Sequence, residues 1–527
     1  LQVLKPLSWY LVLLTGLSVS IGWGVRGQFG HEYGASLAGA LGGMTIALLS
    51  GREDWRARVH YFAFFAAVGF GFGGMMSYMK TVAYTHSSDS ATVVYGFACV
   101  ALLGLIWAAP AGAGVAIAAY FSRDELTKMF VPLTGVFLSW YTHDALRAYT
   151  HDWPRYNAVL GGERGVVNLT AIVVVAVCLI ARKYWGLGSR LMLYMCGGWW
   201  VGYLILIRLC RFDMNPPRGD TWAGCLGMVL GIVAFSWVEK QAALGYATIA
   251  TGLLGGTGFA LGTVVKIIVM KSGFDTNWHS VMEQTQGLFL GIALAIATGL
   301  LAGRAPQIVD QPRTRRWTEA YSVVFVLCLL PYLNFRRSPG EWTKEVQGLT
   351  DQLYGIWISS DMMPSRGFIG WLDFVFIALG AAMVLLLARH LRQRIAFIPE
   401  SWMGKSQLFY LVYLWIVVAI NFMLVIPRFT PIRLVTEWFI TLNAIACTVL
   451  LVYACSARAE GTVNVTAAPY GPWIRTAVLY GVLAAAVVIL GGWRIKMALY
   501  GEHYAAIPGA KFLDHIRFGP NNDNTVR

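Results

Sequence analysis

Three short stretches of this chain hold residues whose types and spacing could do chemistry. The densest is RLCRFDMNPPRGD, 208–220, with Arg208, Arg211, Asp213, Arg218 and Asp220 just before an apolar run. Arginine forks bind carboxylate or phosphate through two parallel hydrogen bonds. A helix N-terminus also favours an anion. Pro216 and Pro217 stop one element, and Asp220 or Thr221 caps the next. That accounts for the carboxylate and leaves the arginines as candidates for an anion site. The second stretch, VRGQFGHEYG, 25–34, carries Arg26, His31 and Glu32. Glu32 suits a helix start, where it meets the dipole and the open N–H groups. It also suits ion coupling, beside a histidine that titrates near neutral pH.

The third stretch, NWHSVMEQ, 277–284, sets His279 and Glu283 four apart, on one helical face. The spacing would serve two metal ligands, but no third is indicated, so no metal and no other cofactor is expected. Trp23, Trp199, Trp222 and Trp278 stand near these stretches and could line a cavity or anchor helices at a membrane interface. Lys80 and Lys271 suit snorkelling to that interface. Thr-His-Asp occurs at 142–144 and again at 150–152, about two helical turns apart. No nucleophile in a recognisable context accompanies those pairs. Glu437 sits a turn inside an apolar helix, within reach of Arg433.

The elements that position these residues follow from composition. The chain is 527 residues long, 57% hydrophobic and 13% charged, with a mean hydropathy of +0.58. Soluble proteins carry about 25% charged residues. The deficit runs the whole length and predicts an all-α polytopic membrane protein. About 20 apolar residues span a bilayer as a helix, and roughly 14–15 such segments can be read between residues 6 and 490. The first lacks a small-residue cleavage site and reads as a retained helix. None of the eight cysteines forms a CxxC pair, which argues against a structural zinc or a disulfide framework.

The net charge of +14 does not imply nucleic acid. The basic residues sit in short loops between apolar helices, as the positive-inside rule expects. Lys and Arg are about twice as dense in the loops after even-numbered helices as in the others. The even loops are therefore expected to be cytoplasmic, the N-terminus inside, and the membrane the cytoplasmic (inner) one. The polar stretches named above all fall in odd loops, on the other face.

Three matches keep their order about 180 residues apart: GWGV (22–25) with GWWV (198–201), LAGALGGMTIALL (37–49) with WAGCLGMVLGIVAF (222–235), and GFGFGGMMSYMKT (69–81) with GFALGTVVKIIVMKS (258–272). An offset of six helices preserves orientation. It predicts a parallel six-plus-six duplication, 1–185 and 186–390, with an extension at 391–527. Small residues such as Gly39, Gly42, Gly43, Gly224, Gly227 and Gly231 should let their helices approach closely.

Over residues 6–390 the chain resembles the major facilitator superfamily. The likeness rests on this architecture and on GREDWRARVH, 51–60, where Gly51, Asp54, Arg56 and Arg58 are similar to the family's glycine, aspartate and basic cluster between its second and third helices. The spacing is compressed, and the second copy, SWVEKQAALG (236–245), keeps only Glu239 and Lys240. The resemblance implies secondary transport. The expectation is a transporter for a small anionic organic solute such as an acidic sugar, coupled to protons or sodium. Arg26, Arg208, Arg211 and Arg218 would draw the anion, with Trp23, Trp199, Trp222 and Trp278 lining the path. Glu32, His31, Glu283, His279 and Asp213 would couple the ion. Lipids are the other expected partners. The alternatives are a membrane-embedded enzyme transferring an acyl, glycosyl or phosphoryl group on a lipid or glycan outside the cytoplasm, and a structural subunit of a larger complex.

Overall fold

The computed structural model describes residues 8–29, 32–73, 78–150, 162–212, 214, 221–308, 316–335, 404–425, 431–456 and 469–505, with four isolated positions between 378 and 385. His31, Asp213, Arg218 and most of the segment expected at 368–388 lie outside these residues. The described chain is helical, without strands.

In order, the helices are α1 (Trp9–Phe29), α2 (Glu32–Leu49), α3 (Glu53–Ala57), α4 (Val59–Gly73), α5 (Met79–Thr85), α6 (Ser90–Tyr120), α7 (Arg123–Thr150), α8 (Gly162–Ile180), α9 (Leu187–Gly202), α10 (Thr221–Val238), α11 (Ala242–Met270), α12 (Trp278–Gly299), α13 (Arg316–Val324), α14 (Leu330–Phe335), α15 (Lys405–Val425), α16 (Pro431–Ser456) and α17 (Gly471–Tyr500). Wider π-turns follow α9 at Tyr203–Leu209 and join α13 to α14 at Phe325–Leu329.

Eight of these helices are long and apolar enough to cross a membrane, and three shorter ones are apolar. Ile180 and Trp237 are 87% and 85% exposed, and α17 turns Leu479, Tyr480, Leu483 and Val487 outward. An aqueous surface would not tolerate so much contiguous apolar area. A bilayer would. The chain therefore has the build of a multi-pass membrane protein.

Hydrogen bonds between loops sort the helix ends into two faces. On one, Arg52 donates to the carbonyls of Ala302, Ala305 and Pro306 at 3.1, 2.5 and 2.9 Å, and its fork grips Asp54 at 2.9 and 2.7 Å. Arg58 donates to Ala118 and Phe121 at 2.7 and 2.6 Å. Arg56 reaches the Leu48 carbonyl at 3.1 Å. These arginines meet helix C-termini, where carbonyls lack partners and the dipole favours cations. Arg190 and Glu239 pair on the same side of the helix order, at 2.9 Å. All of these belong to even loops, so the alternation expected from the hydropathy pattern holds from residue 51 to 306. It also gives the 51–60 cluster a concrete task, tying α2, α6 and α12 together at their ends. Arg52→Ala should lose five charge-assisted hydrogen bonds and strand Asp54. We expect thermal unfolding of the purified protein to show a loss of about 3–5 kcal/mol, whereas removing the exposed Arg208 should change little.

On the opposite face, Asp89 caps α6 by accepting from the Thr92 amide and hydroxyl, both at 2.7 Å. Those bonds, the hydroxyl first, hold its carboxyl below the usual carboxylate range. The cap is thus intact at neutral pH and is lost only in acid.

The helices pack through glycine. Gly287 and Gly291 of α12 lie against Ser20, Trp23, Thr15 and Gly16 of α1. Gly39 and Gly43 of α2 meet the α4 backbone at Ala66 and Phe62. Gly42 and Gly227, equivalent in the repeat alignment, both face the helix before them, α1 and α9 respectively. Gly39 and its equivalent Gly224 differ: Gly224 faces Trp199 of α9. The sequence matches would pair the hairpin α1–α2 with α9–α10, but the closest long-range packings do not follow that pairing. α11 runs along α6 and α1 along α12, while the symmetry-related pairs α4 with α12 and α6 with α9 are not closely packed among the described residues.

Candidate functional site

Arg26 is not in a loop. α1 continues through Phe29, so the guanidinium lies inside the bundle with its side chain wholly buried. Its Nη2 donates to Glu283 Oε1 at 2.8 Å and to the Tyr78 hydroxyl at 2.5 Å. Tyr78 in turn donates to the same carboxylate oxygen at 2.7 Å. The Glu283 side chain is also fully buried. His279, one turn before it, brings Nε2 to 3.6 Å from Glu283 Oε1, as the spacing of four places it. The His279 ring lies nearly parallel to Tyr78, 13° apart with centroids at 6.3 Å.

An aromatic cage surrounds the guanidinium. Its Cζ lies 4.4 Å from the Trp23 ring centre and 5.1 Å from those of Tyr78 and Trp107. Phe259 closes the cage, 5.8 Å from Trp23 and 5.6 Å from Trp107. Negative ring faces offset part of the desolvation that a buried cation suffers.

Each member comes from a different place in the chain. Tyr78 precedes α5 and is itself outside the helix, so the third apolar segment is interrupted at that residue. Interrupted helices expose backbone and polar side chains at membrane depth only where protein or a cavity covers them. Arg26 is in the last turn of α1, and Glu283 is in the second turn of α12. The cluster therefore lies within about two turns, roughly 10 Å, of the odd-loop face. The glycine crossing of α1 on α12 brings Arg26 and Glu283 together. A hydrogen bond from Gln284 Nε2 to the Thr436 carbonyl at 3.0 Å ties α16 to the same region.

Among the other residues singled out from the sequence, Trp23 belongs to the cage, and Trp278 is a local tie, donating to the Phe274 carbonyl at 3.0 Å. Trp222 is buried at the start of α10. Trp199 lies in a separate cluster with Tyr203 and Met228. It lines an apolar crevice with Phe72, Trp140 and Met195, away from Arg26. Arg208 and Arg211 are exposed. Arg208 stacks over Tyr203 at 5.5 Å, and Arg211 has a positive φ of 57°. The described residues of this stretch do not join Arg26. The side chain of Glu32 lies outside the described residues. Glu437 is buried and accepts from Asn421 Nδ2 on α15.

Sequence reasoning did not single out Tyr78, Trp107, Phe259, Lys266 or His86. Lys266 is 3% exposed and His86 1%. A lysine amid GTVVKIIVM, near the middle of an apolar run, was the available signal for Lys266. Chemically, a carboxylate shared by an arginine, a tyrosine and a histidine can hold charge or take up a proton without leaving its partners. Against known proteins, the chain matches no family model, no curated protein and no solved structure.

Proposed function

We propose that this protein is a secondary transporter of a small anionic organic solute, with Glu283 as the group that couples the solute to protons. The carrying observation is the buried Arg26–Glu283 pair bridged by Tyr78 at a broken helix. Buried ionic groups in a membrane protein are costly and mark ion or substrate paths. While Glu283 is ionised it neutralises Arg26. Once protonated, it leaves Arg26 free to attract an anion, so proton and anion would move together. The density of Lys and Arg in the even loops supports a cytoplasmic N-terminus in the cytoplasmic membrane, with the site opening outward. The matched order of the hairpins supports a duplication, with 1–185 and 186–390 as the halves and 391–527 as an extension.

The test is uptake into proteoliposomes under an inward proton gradient, with labelled lactate and glucuronate as probes. Wild type should accumulate a probe, and Glu283→Gln should lower accumulation at least tenfold while folding normally. A Glu283→Gln protein that accumulates like wild type would sink the proton-coupling role. Uptake that follows a sodium gradient instead would reassign the ion. One observation favours a second reading: the buried polar cluster lies near one face only, which suits a one-sided enzyme site. Turnover of a lipid-linked substrate without net uptake would support that reading.

A further inference from the structure

The apolar crevice beside Trp199 has a charged rim. Arg164 Cζ lies 5.4 Å from the centre of the Tyr203 ring, and Arg208 Cζ lies 5.5 Å from it. Two cations therefore share one ring. Arg164 is in the first turn of α8, and Arg208 is in the π-turn that follows α9. α8 starts at the odd-loop face and the π-turn ends there, so the rim is at that face. The π-turn is what sets Arg208 over Tyr203. In an α-helix residues five apart point about 140° from one another. The wider turn, closed by the Cys210 amide on the Ile205 carbonyl at 2.9 Å, brings the fifth residue back toward the first. Arg208 is exposed and makes no ion pair among the described residues.

Inward of the rim the surroundings turn apolar. The Trp199 ring stacks on Tyr203, 13° apart with centroids at 5.5 Å, and Trp200 meets Tyr203 edge-on at 5.7 Å. Trp and Tyr gather at the level where a membrane meets water. Beyond them the crevice is lined by Val167 and Thr170 of α8, Met192 and Met195 of α9 and Trp140 of α7. The Thr170 hydroxyl in its wall is already used, donating to the Val166 carbonyl at 2.7 Å and accepting from Trp140 Nε1 at 3.1 Å. From Tyr203 to Met192 the chain advances about 16 Å along the helix, roughly half of a 30 Å hydrocarbon core. Ile172 and Val175 of α8, with Val201 and Leu204 after them, are exposed beside it, as lipid-facing residues are. A cationic rim at the interface above an apolar crevice one leaflet deep is complementary to an anionic phospholipid. We propose that Arg164 and Arg208 hold the phosphate of such a lipid while one acyl chain lies in the crevice between α7, α8 and α9. This site is separate from the Arg26 cluster and does not depend on what that cluster transports.

The test uses the purified full-length protein in a nonionic detergent, with thermal unfolding followed as lipid is added. The probes are dioleoyl phosphatidylglycerol, dioleoyl phosphatidylcholine and glycerol 3-phosphate, which is a phosphate without chains. Phosphatidylglycerol should protect, phosphatidylcholine should need roughly ten times the mole fraction for the same effect, and glycerol 3-phosphate should do nothing. Arg208→Gln should melt like wild type without lipid, because its side chain is exposed, and should bind phosphatidylglycerol roughly tenfold to a hundredfold more weakly. Arg208→Lys should recover only part of that loss, since the fork is gone. Lys271→Gln removes one exposed cation from the same face and should leave the lipid response unchanged. A second readout locates the chain. Phosphatidylglycerol with brominated acyl chains should quench tryptophan fluorescence more than brominated phosphatidylcholine does, and this excess should vanish in Arg208→Gln and shrink in Trp140→Phe. The proposal is overturned if the two lipids protect alike, or if Lys271→Gln weakens the response as much as Arg208→Gln, which would mean a general charge effect. Protection by glycerol 3-phosphate would assign the arginines to a free phosphate and overturn it too. Protection by no lipid, or no excess quenching, would give the crevice to another occupant, such as a second copy of this chain.

Discussion

Arg26→Ala and Glu283→Ala should each destabilise the protein by about 3–5 kcal/mol, while the double variant Arg26→Met/Glu283→Leu recovers most of that loss. Each single change leaves one charge buried without its counter-ion, since both side chains are wholly inaccessible. The lone Arg26 would keep its aromatic cage and Tyr78, so Glu283→Ala should be the milder of the two. A lone Glu283 would keep the Tyr78 hydroxyl, with His279 Nε2 3.6 Å away, and would lose the guanidinium that neutralises it. Removing both charges removes the desolvation cost together with the attraction. What the double variant cannot recover is the partner of the Tyr78 hydroxyl, about 1–3 kcal/mol. Equilibrium unfolding of the three variants in one detergent checks this, with uptake measured alongside. Coupled uptake should be absent in all three. A double variant as unstable as the sum of the singles would mean that the pair does not act as a unit and that other partners hold each charge.

Gly287→Ala should be as damaging as the loss of a charge, although it adds one methyl group. A Cβ at Gly287 would sit 2.5 Å from Trp23 Cβ and 2.8 Å from both Ser20 Cα and the Val19 carbonyl oxygen. Two of those three atoms are backbone, so rotamer changes cannot relieve the contact. α1 must move off α12, and Arg26 moves with it, one turn beyond Trp23. Overpacking of this kind costs about 1–3 kcal/mol, and a lengthened Arg26–Glu283 pair adds to it. The contrast is Gly197→Ala. Nothing lies within 4 Å of a Cβ there, so alanine should be neutral or stabilise the helix by up to about 1 kcal/mol. Melting temperatures of the two variants, with uptake as the second readout, make the comparison. Equal melting temperatures would mean that the crossing of α1 on α12 is loose.

Of residues 208–220 the structure describes only 208–212 and 214. Charge density there suggested an anion site; its two described arginines, Arg208 and Arg211, are exposed at and just after a π-turn, while the cluster buried around Arg26 draws its described members from other segments. α1 runs on to Phe29, further than the glycines at 22, 24 and 27 suggest. That extra turn turns a loop residue into a buried one. His279 and Glu283 were legible as one face of a helix because spacing of four is a local property. Trp23 was legible as an apolar neighbour of Arg26, though not as one wall of a cage whose other walls are Tyr78, Trp107 and Phe259. The 51–60 cluster was read through its likeness to a transporter loop, and Arg52, its most connected member, was passed over.

What the sequence by itself determined is what depends on neighbours along the chain. Apolar runs of spanning length and the scarcity of charge were enough for an all-helical, multi-pass protein. Tertiary structure alone decided which charged residues leave water together. Arg26 and Glu283 are 257 positions apart, and Tyr78 and Glu283 are 205 apart. No periodicity carries that distance. The pairing arises because Gly287 and Gly291 let α1 lie against α12 at one particular height. In a bilayer, where lipid is as apolar as leucine, close backbone approach through small residues is what selects one helix neighbour over another.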